Sequence, residues 1–289
     1  MQTPAAAPAH TIHISSRSSI SFADVKELWE YKDLILLFVR RDFLAKYSQT
    51  VLGPIWFVIQ PVLTALVFTV IFGNVANVQT EGMPRLLFYL CALLPWNYFA
   101  QTFGATGSTF TGNRVIFTKI YFPRLTVPFS SVISNLLAFG IQCISFACFW
   151  LYFKFFTAEG AQFHLTWGMA LIPLLIVQVA GIGVGTGLCL AVITAKYRDL
   201  QHALPFLIQI WMYGTPIIYG LSMVENPTLR MVLSLNPMAS ITELFRFALL
   251  GKTSLTPAEY GISAGMTVVL LIAGLVMFKS IDRNVVDSI

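Results

Sequence analysis

Residues 51–73 read Val-Leu-Gly-Pro-Ile-Trp-Phe-Val-Ile-Gln-Pro-Val-Leu-Thr-Ala-Leu-Val-Phe-Thr-Val-Ile-Phe-Gly, with no charged side chain among them. From Ile55 to Gly73, a rise of about 1.5 Å per residue makes a helix of roughly 28 Å, close to the hydrocarbon thickness of a bilayer. Gly53-Pro54 marks where such a helix would begin, and Pro61 falls inside it. A proline there removes one backbone donor, a defect that a membrane helix tolerates when neighbouring helices or water satisfy the freed carbonyl. The stretch predicts a first membrane span. A basic, amphipathic segment, Lys26–Lys46, runs directly into it.

Composition agrees. Of 289 residues, 56% are hydrophobic and 11% charged, where soluble domains carry about 25% charged residues. The net charge of +5 is spread along the chain instead of gathered in one patch, so it does not point to nucleic acid. Cys91, Cys143, Cys148 and Cys189 lie in apolar runs, without zinc-site spacing or the loop positions of a disulfide framework, and read as buried, inert thiols.

Residues 1–21, rich in Ala, Ser and Pro, are expected to form a disordered cytoplasmic tail. Residues 22–48 are expected to form one amphipathic helix, with Lys26, Glu30, Asp33 and Arg40 on one stripe and Leu28, Tyr31, Ile35 and Phe38 on another. Trp29 and Tyr31 suit the headgroup level, so the helix would lie in the interface plane. Packing as a soluble-side helix is the alternative. Six uncharged spans follow at about 51–73, 86–111, 125–153, 167–195, 204–223 and 260–278, the second bent or broken near Pro95. They make a transmembrane domain over 51–279, with a short tail at 280–289. The fold class is an all-α integral membrane protein with six transmembrane helices. With the N-terminus inside, inner segments hold 13 lysines and arginines and outer segments 5, which predicts that both termini are cytoplasmic.

The spans hold no Asp, Glu, Lys or Arg, and ion-coupled carriers place such groups at membrane depth. Gly251-Lys252-Thr253 imitates a nucleotide-binding loop, but Arg246 stands where that motif needs its first glycine. Gly181, Gly183, Gly185 and Gly187 stand two apart in the fourth span and read as sites of close helix approach. Gln60, Asn97, Gln101, Asn135, Gln142, Gln178 and Gln209 read either as hydrogen bonds between helices or, with the many aromatics, as a wall suited to a sugar polymer. The basic loop Asn113–Arg124 carries Val115, Ile116, Phe117, Ile120, Tyr121 and Phe122. That pattern fits a short helix docking into a partner's groove, or an interfacial helix lying on lipid.

Several short motifs occur in order over about residues 25–285. They are Leu52-Gly53-Pro54-Ile55-Trp56 with Gln60-Pro61 and Phe72-Gly73, then Phe122-Pro123-Arg124 with Pro128. Tyr197-Arg198-Asp199-Leu200, Thr215-Pro216-Ile217-Ile218-Tyr219 and Asn236-Pro237-Met238 follow. Together they resemble the ABC-2 family of polysaccharide-exporter permeases, within it the O-antigen and capsule exporters, with teichoic-acid exporters close behind.

The resemblance implies a multi-pass protein of the bacterial inner membrane, two copies of which enclose a channel. Two separate ATPase subunits would bind its cytoplasmic face and carry the ATP and Mg, so this chain would bind no cofactor and be no enzyme itself. By position, Asn113, Lys119, Tyr121, Phe122, Pro123 and Arg124 would match the ATPase-coupling helix, and residues 224–250 re-entrant helices narrowing the outer mouth. Trp56, Phe57, Trp211 and Tyr213 would face the channel. Arg40, Arg41 and Lys46 would meet either the pyrophosphate of an undecaprenyl-type lipid-linked glycan or anionic membrane lipid. An exporter of a drug or small lipid is the alternative within the family. A membrane-embedded glycosyltransferase or polymerase is the alternative outside it, and would need a catalytic carboxylate. Asp199 reads instead as a partner of Arg198 or a helix cap, and Glu243 has ordinary helical spacing to Arg246.

Overall fold

The computed structural model describes residues 22–47, 50–120, 122–157, 166–251 and 255–284. The expected tail at 1–21, the end of the tail at 285–289, and Tyr121 lie outside them. The described residues form helices and no strands.

The expected 22–48 helix divides at Tyr31 into α1 (Phe22–Glu30) and α2 (Lys32–Tyr47). Tyr31 N still donates to Glu27 O at 3.2 Å and Ile35 N to Tyr31 O at 3.0 Å, so the two remain nearly continuous. α3 (Trp56–Phe68) carries Pro61 in its interior and widens into a π-helical turn at Thr69–Val75. α4 (Arg85–Gly107) runs through Pro95 as one helix, so of the bend or break expected there the break does not occur. Two short helices follow, α5 (Thr109–Gly112) and α6 (Arg114–Lys119), then the long α7 (Thr126–Phe156) and α8 (Ile172–Lys196). α9 (Leu204–Tyr213), α10 (Pro227–Ser234), α11 (Pro237–Leu250) and α12 (Pro257–Asn284) complete the order. Gly53–Val75, Thr126–Phe156, Trp167–Lys196 and Pro257–Ser280 are long and apolar enough to cross a membrane.

Residues 204–223 depart from the expected fifth span. α9 stops at Tyr213, after roughly 15 Å. Gly214 is followed there by Thr215-Pro216, and the residue before a proline is pushed out of the helical region. Residues 214–226 then hold only a 3-10 turn, Leu221–Met223. α10 and α11 each restart on Asn-Pro. Asn226 Oδ1 accepts from Thr228 N at 2.9 Å, and Asn236 Oδ1 from Met238 N at 3.1 Å. The prolines occupy first-turn positions whose N–H would have no helical partner. α11 ends at Gly251, φ +82°, the left-handed residue of a helix terminus. The Gly-Lys-Thr imitation therefore begins at a helix stop.

α4 is the axis of the bundle. It packs on α3, α7, α8, α9 and α11, and every side chain from Leu87 to Trp96 is buried. α8 lies between α4 and α12 because its alternate glycines face both ways. A Cβ added to Gly183 or Gly187 would meet Thr102 or Thr106 of α4 at 2.9 and 2.6 Å, and one on Gly185 would meet Leu270 O of α12 at 2.6 Å. Only small residues allow that approach. Several in-span amides tie helices together. Gln178 Nε2 donates to Ser263 Oγ (3.0 Å) and Thr267 Oγ1 (3.2 Å), and Asn97 Nδ2 reaches Gln142 Oε1 at 3.5 Å. Gln60 and Gln209 are exposed. Of the four cysteines expected to be buried, only Cys91 is. Cys143 and Cys189 are half-buried and Cys148 is exposed on α7.

Candidate functional site

One end of the bundle gathers the turns α4–α5–α6–α7, the α8–α9 turn and the first half of α2. There α6 is fastened by its apolar side chains. Phe38 of α2, Phe122 and Val127 form a small buried cluster, joined by Tyr31, Leu34, Ile116 and Phe117. Phe122 is 5% exposed. Its ring lies edge-on to Phe38 at 5.6 Å and stacked on Phe117 at 5.4 Å. The apolar content of the Asn113–Arg124 loop thus divides. Ile116, Phe117 and Phe122 hold α6 to α2 and α7, while Val115 (66% exposed) and Ile120 (62%) face outward beside the exposed Arg114, Thr118 and Lys119. Pro123 and Arg124 are half-buried.

Asn113, at the head of α6, joins two elements. Its Nδ2 donates to Thr109 O at 3.2 Å, and its Oδ1 accepts from Arg41 Nη2 at 3.3 Å. Arg41 also pairs with Asp42 at 2.7 Å and lies over the Phe38 ring at 4.6 Å. Lys46 is exposed taken as a whole residue, yet its Nζ turns inward and donates to Oδ1 of the buried Asn135 at 2.8 Å. Burial of that ammonium pulls its pKa below the usual lysine value, with Asp42 opposing the shift. α2 therefore runs alongside the first third of α7, Phe38 near Val127 and Lys46 near Asn135. At about 100° per residue, Arg40, Arg41 and Lys46 point to three different sides of α2. The structure does not bring them into one anion site. Arg40 is exposed, and Arg41 and Lys46 are engaged within the chain.

The four channel candidates separate similarly. Trp56 is 47% exposed and Tyr213 54%. Phe57 is buried between α3, α4 and α7, with Phe43 of α2 at 6.2 Å. Trp211 is half-buried, edge-on to Phe99 at 4.8 Å, with Nε1 donating to Asn236 Oδ1 at 3.0 Å.

At the other end, Glu243 and Arg246 form the i,i+3 pair that their spacing suggests, but away from water. Both side chains are 0% exposed, joined at 2.9 Å, and α11 is buried along most of its length. Asp199, the other carboxylate weighed for catalysis, is exposed in the α8–α9 turn. Among the described residues no cluster of His, Cys, Asp and Glu could hold a metal.

Residues 33–250 match the family described as ABC-2 type transporter. The chain is 29% identical over 269 residues to the O-antigen export system permease protein RfbA of Myxococcus xanthus, covering 92% of this chain and 98% of that protein. It is 25% identical to a protein of the same name from Klebsiella pneumoniae, over 86% of this chain and 92% of that one. With the polysialic acid transport protein KpsM of Escherichia coli it shares 20% identity over 86% and 93% of the two chains. A match that begins in α2 and ends with α11, on an all-helical scaffold with four apolar helices of spanning length, places this chain in the ABC-2 type transporter family.

Proposed function

We propose that this chain is the membrane subunit of an ATP-driven exporter that carries a lipid-linked, O-antigen-like polysaccharide across a bacterial inner membrane. The observation that carries this reading is the correspondence, over 92% of this chain and 98% of its relative, with a permease named for O-antigen export. In this reading two copies enclose the path, each with both termini cytoplasmic. α4 and the α9 segment complete six crossings with the four apolar helices, and α10 and α11 are the re-entrant pair at the outer mouth.

ATP and Mg belong to two partner subunits, which would grip the outward face of α6 at Val115, Lys119 and Ile120. Phe122 transmits their movement by fixing α6 to α2 and α7. Trp56 and Tyr213 offer ring faces to the polymer, while Phe57 and Trp211 support the helices behind them. Of the three α2 candidates, Arg40 is the one left available for an undecaprenyl-type pyrophosphate.

The test is reconstitution with the cognate ABC ATPase in inverted membrane vesicles loaded with lipid-linked glycan. The expected result is ATP-dependent accumulation of glycan in the lumen. Accumulation without ATP, or no stable complex with any ABC ATPase, would sink the reading. Movement of a drug or simple lipid in place of glycan would favour the other exporter type.

A further inference from the structure

Residues 214–220 leave α9 without becoming helix, and side chains hold their backbone and the short turn that follows. Asn236 Nδ2 donates to Gly214 O and to Thr215 Oγ1, both at 2.9 Å. Arg246 Nη2 donates to Ile217 O at 2.9 Å and Nη1 to Tyr219 O at 3.2 Å. Leu221 N donates to Glu243 Oε1 at 3.0 Å. Ser222 Oγ donates to Glu81, in the α3–α4 connection. Non-helical backbone at membrane depth survives only where the protein satisfies its polar groups, and here α11 supplies most of the partners.

The pair's own geometry is the informative part. Arginine–carboxylate pairs are frequently bidentate, two parallel N–H groups given to two oxygens. Here a single bond joins them, Nη1 to Oε1 at 2.9 Å. Nη1 is shared with Tyr219, Nη2 is given to Ile217, and Oε1 also accepts from Leu221. Arg246 Nε and Glu243 Oε2 have no hydrogen-bond partner among the described residues. The charges are arranged around the 217–221 backbone and only secondarily around each other. Beneath them the Phe88 ring of α4 lies 3.8 Å from the guanidinium carbon, fixing the group to the bundle axis.

We propose that Glu243 and Arg246 are positioning residues for export. They hold 217–221 as a rigid strut, so that this segment, α11 and α4 close the outer mouth as one body when no polymer is passing. The inference rests on the export reading, which puts this end on the outer side. Without the clamp, two carbonyls and one N–H lose their partners, the strut rearranges, and the closed mouth leaks.

The test uses the permease–ATPase complex in proteoliposomes filled with carboxyfluorescein. Dye release without ATP and ATP-driven glycan transport are read from the same preparation. The variant Glu243→Leu/Arg246→Met removes both charges together, since a buried pair replaced by apolar side chains usually leaves folding intact. It is expected to assemble with the ATPase, to release dye about tenfold faster and to transport about tenfold less glycan, a factor that leaving even one of the three freed backbone groups unpaired would supply. A double variant that assembles, stays tight and transports normally overturns the proposal. Where the double variant fails to assemble, Arg246→Lys decides, because it keeps the charge and loses the fork. Leak at normal assembly supports positioning, and tightness with full transport overturns it. Wild-type complex that moves no glycan would count against the export reading alone, since the leak comparison needs no glycan.

Discussion

The two ends of this bundle are fastened by different physics. At the α6 end, a small apolar cluster around Phe38, Phe122 and Val127 does the holding, helped by the bond from Arg41 to Asn113, whose arginine also forms a partly exposed ion pair with Asp42. At the α11 end a fully buried ion pair grips irregular backbone against α4. A water-exposed ion pair contributes about 0–1 kcal/mol, whereas breaking a buried one by removing one partner costs about 3–5 kcal/mol. The first end can shift through small steps as contacts slide. The second either holds its geometry or loses it, because its charges have no solvent to fall back on. A transporter needs both behaviours: a compliant surface where force enters and a closure that does not drift.

Arg246→Met should break that contrast most severely. It leaves the Glu243 carboxylate buried without its cation, at an expected loss of about 3–5 kcal/mol, measured by thermal unfolding of the purified protein in detergent. A loss under about 1 kcal/mol would mean that the α11 end behaves like a surface pair, and the comparison would fall. Phe122→Ala comes next, at about 3 kcal/mol, the low end for truncating a buried phenylalanine, because the cluster around it is small and partly exposed. Here the location of the damage matters more than its size. Hydrogen exchange should quicken in α6 and the first half of α2 and stay unchanged in α11. Quickening throughout would show that the two ends are not independent.

Much of this architecture was legible in the chain. α3, α7, α8 and α12 follow from uncharged runs of spanning length, and the alternate glycines of α8 announced helices closer than side chains allow. The helix of the fifth span is shorter than expected because apolar length was counted across Gly214-Thr215-Pro216, a signal that a helix stops. Arg246 was counted as an outer-loop charge for a different reason. Helical spacing says that Glu243 and Arg246 share a face, but not whether that face meets water or a bundle axis. The same gap explains α6: the apolar residues of Asn113–Arg124 are visible in sequence, but their division into an anchoring set and an outward set depends on where α2 packs. The basic residues of α2 looked like one anion site because they are near in sequence, and helical rotation scatters them.

Gly274→Ala probes what lies between the ends. An added Cβ would stand 2.1 Å from Gly185 O, so α8 and α12 must separate. Overpacking of this kind costs about 1–3 kcal/mol, again read as a drop in melting temperature. If the variant melts like wild type, the two helices slide past one another freely, and the middle of the bundle is not the stiff connection that a movement passed from one end to the other requires.

Lys119→Glu should have the smallest effect on the protein and the largest on its company. Lys119 is exposed at the end of α6, away from the Phe122 cluster, and surface substitutions of this kind shift stability by about 0.5 kcal/mol or less. The melting temperature and the exchange rates of α6 should therefore match wild type. Co-purification with the ATPase should be lost, because a reversed charge on the outward face opposes whatever acidic group meets the lysine, while the inward face stays in place. Weakened binding together with faster exchange in α6 would mean that the outward residues also hold the helix, and that anchoring and docking are not divided between two faces. Unchanged binding would move the ATPase contact off α6, toward the exposed side of α2 around Arg40.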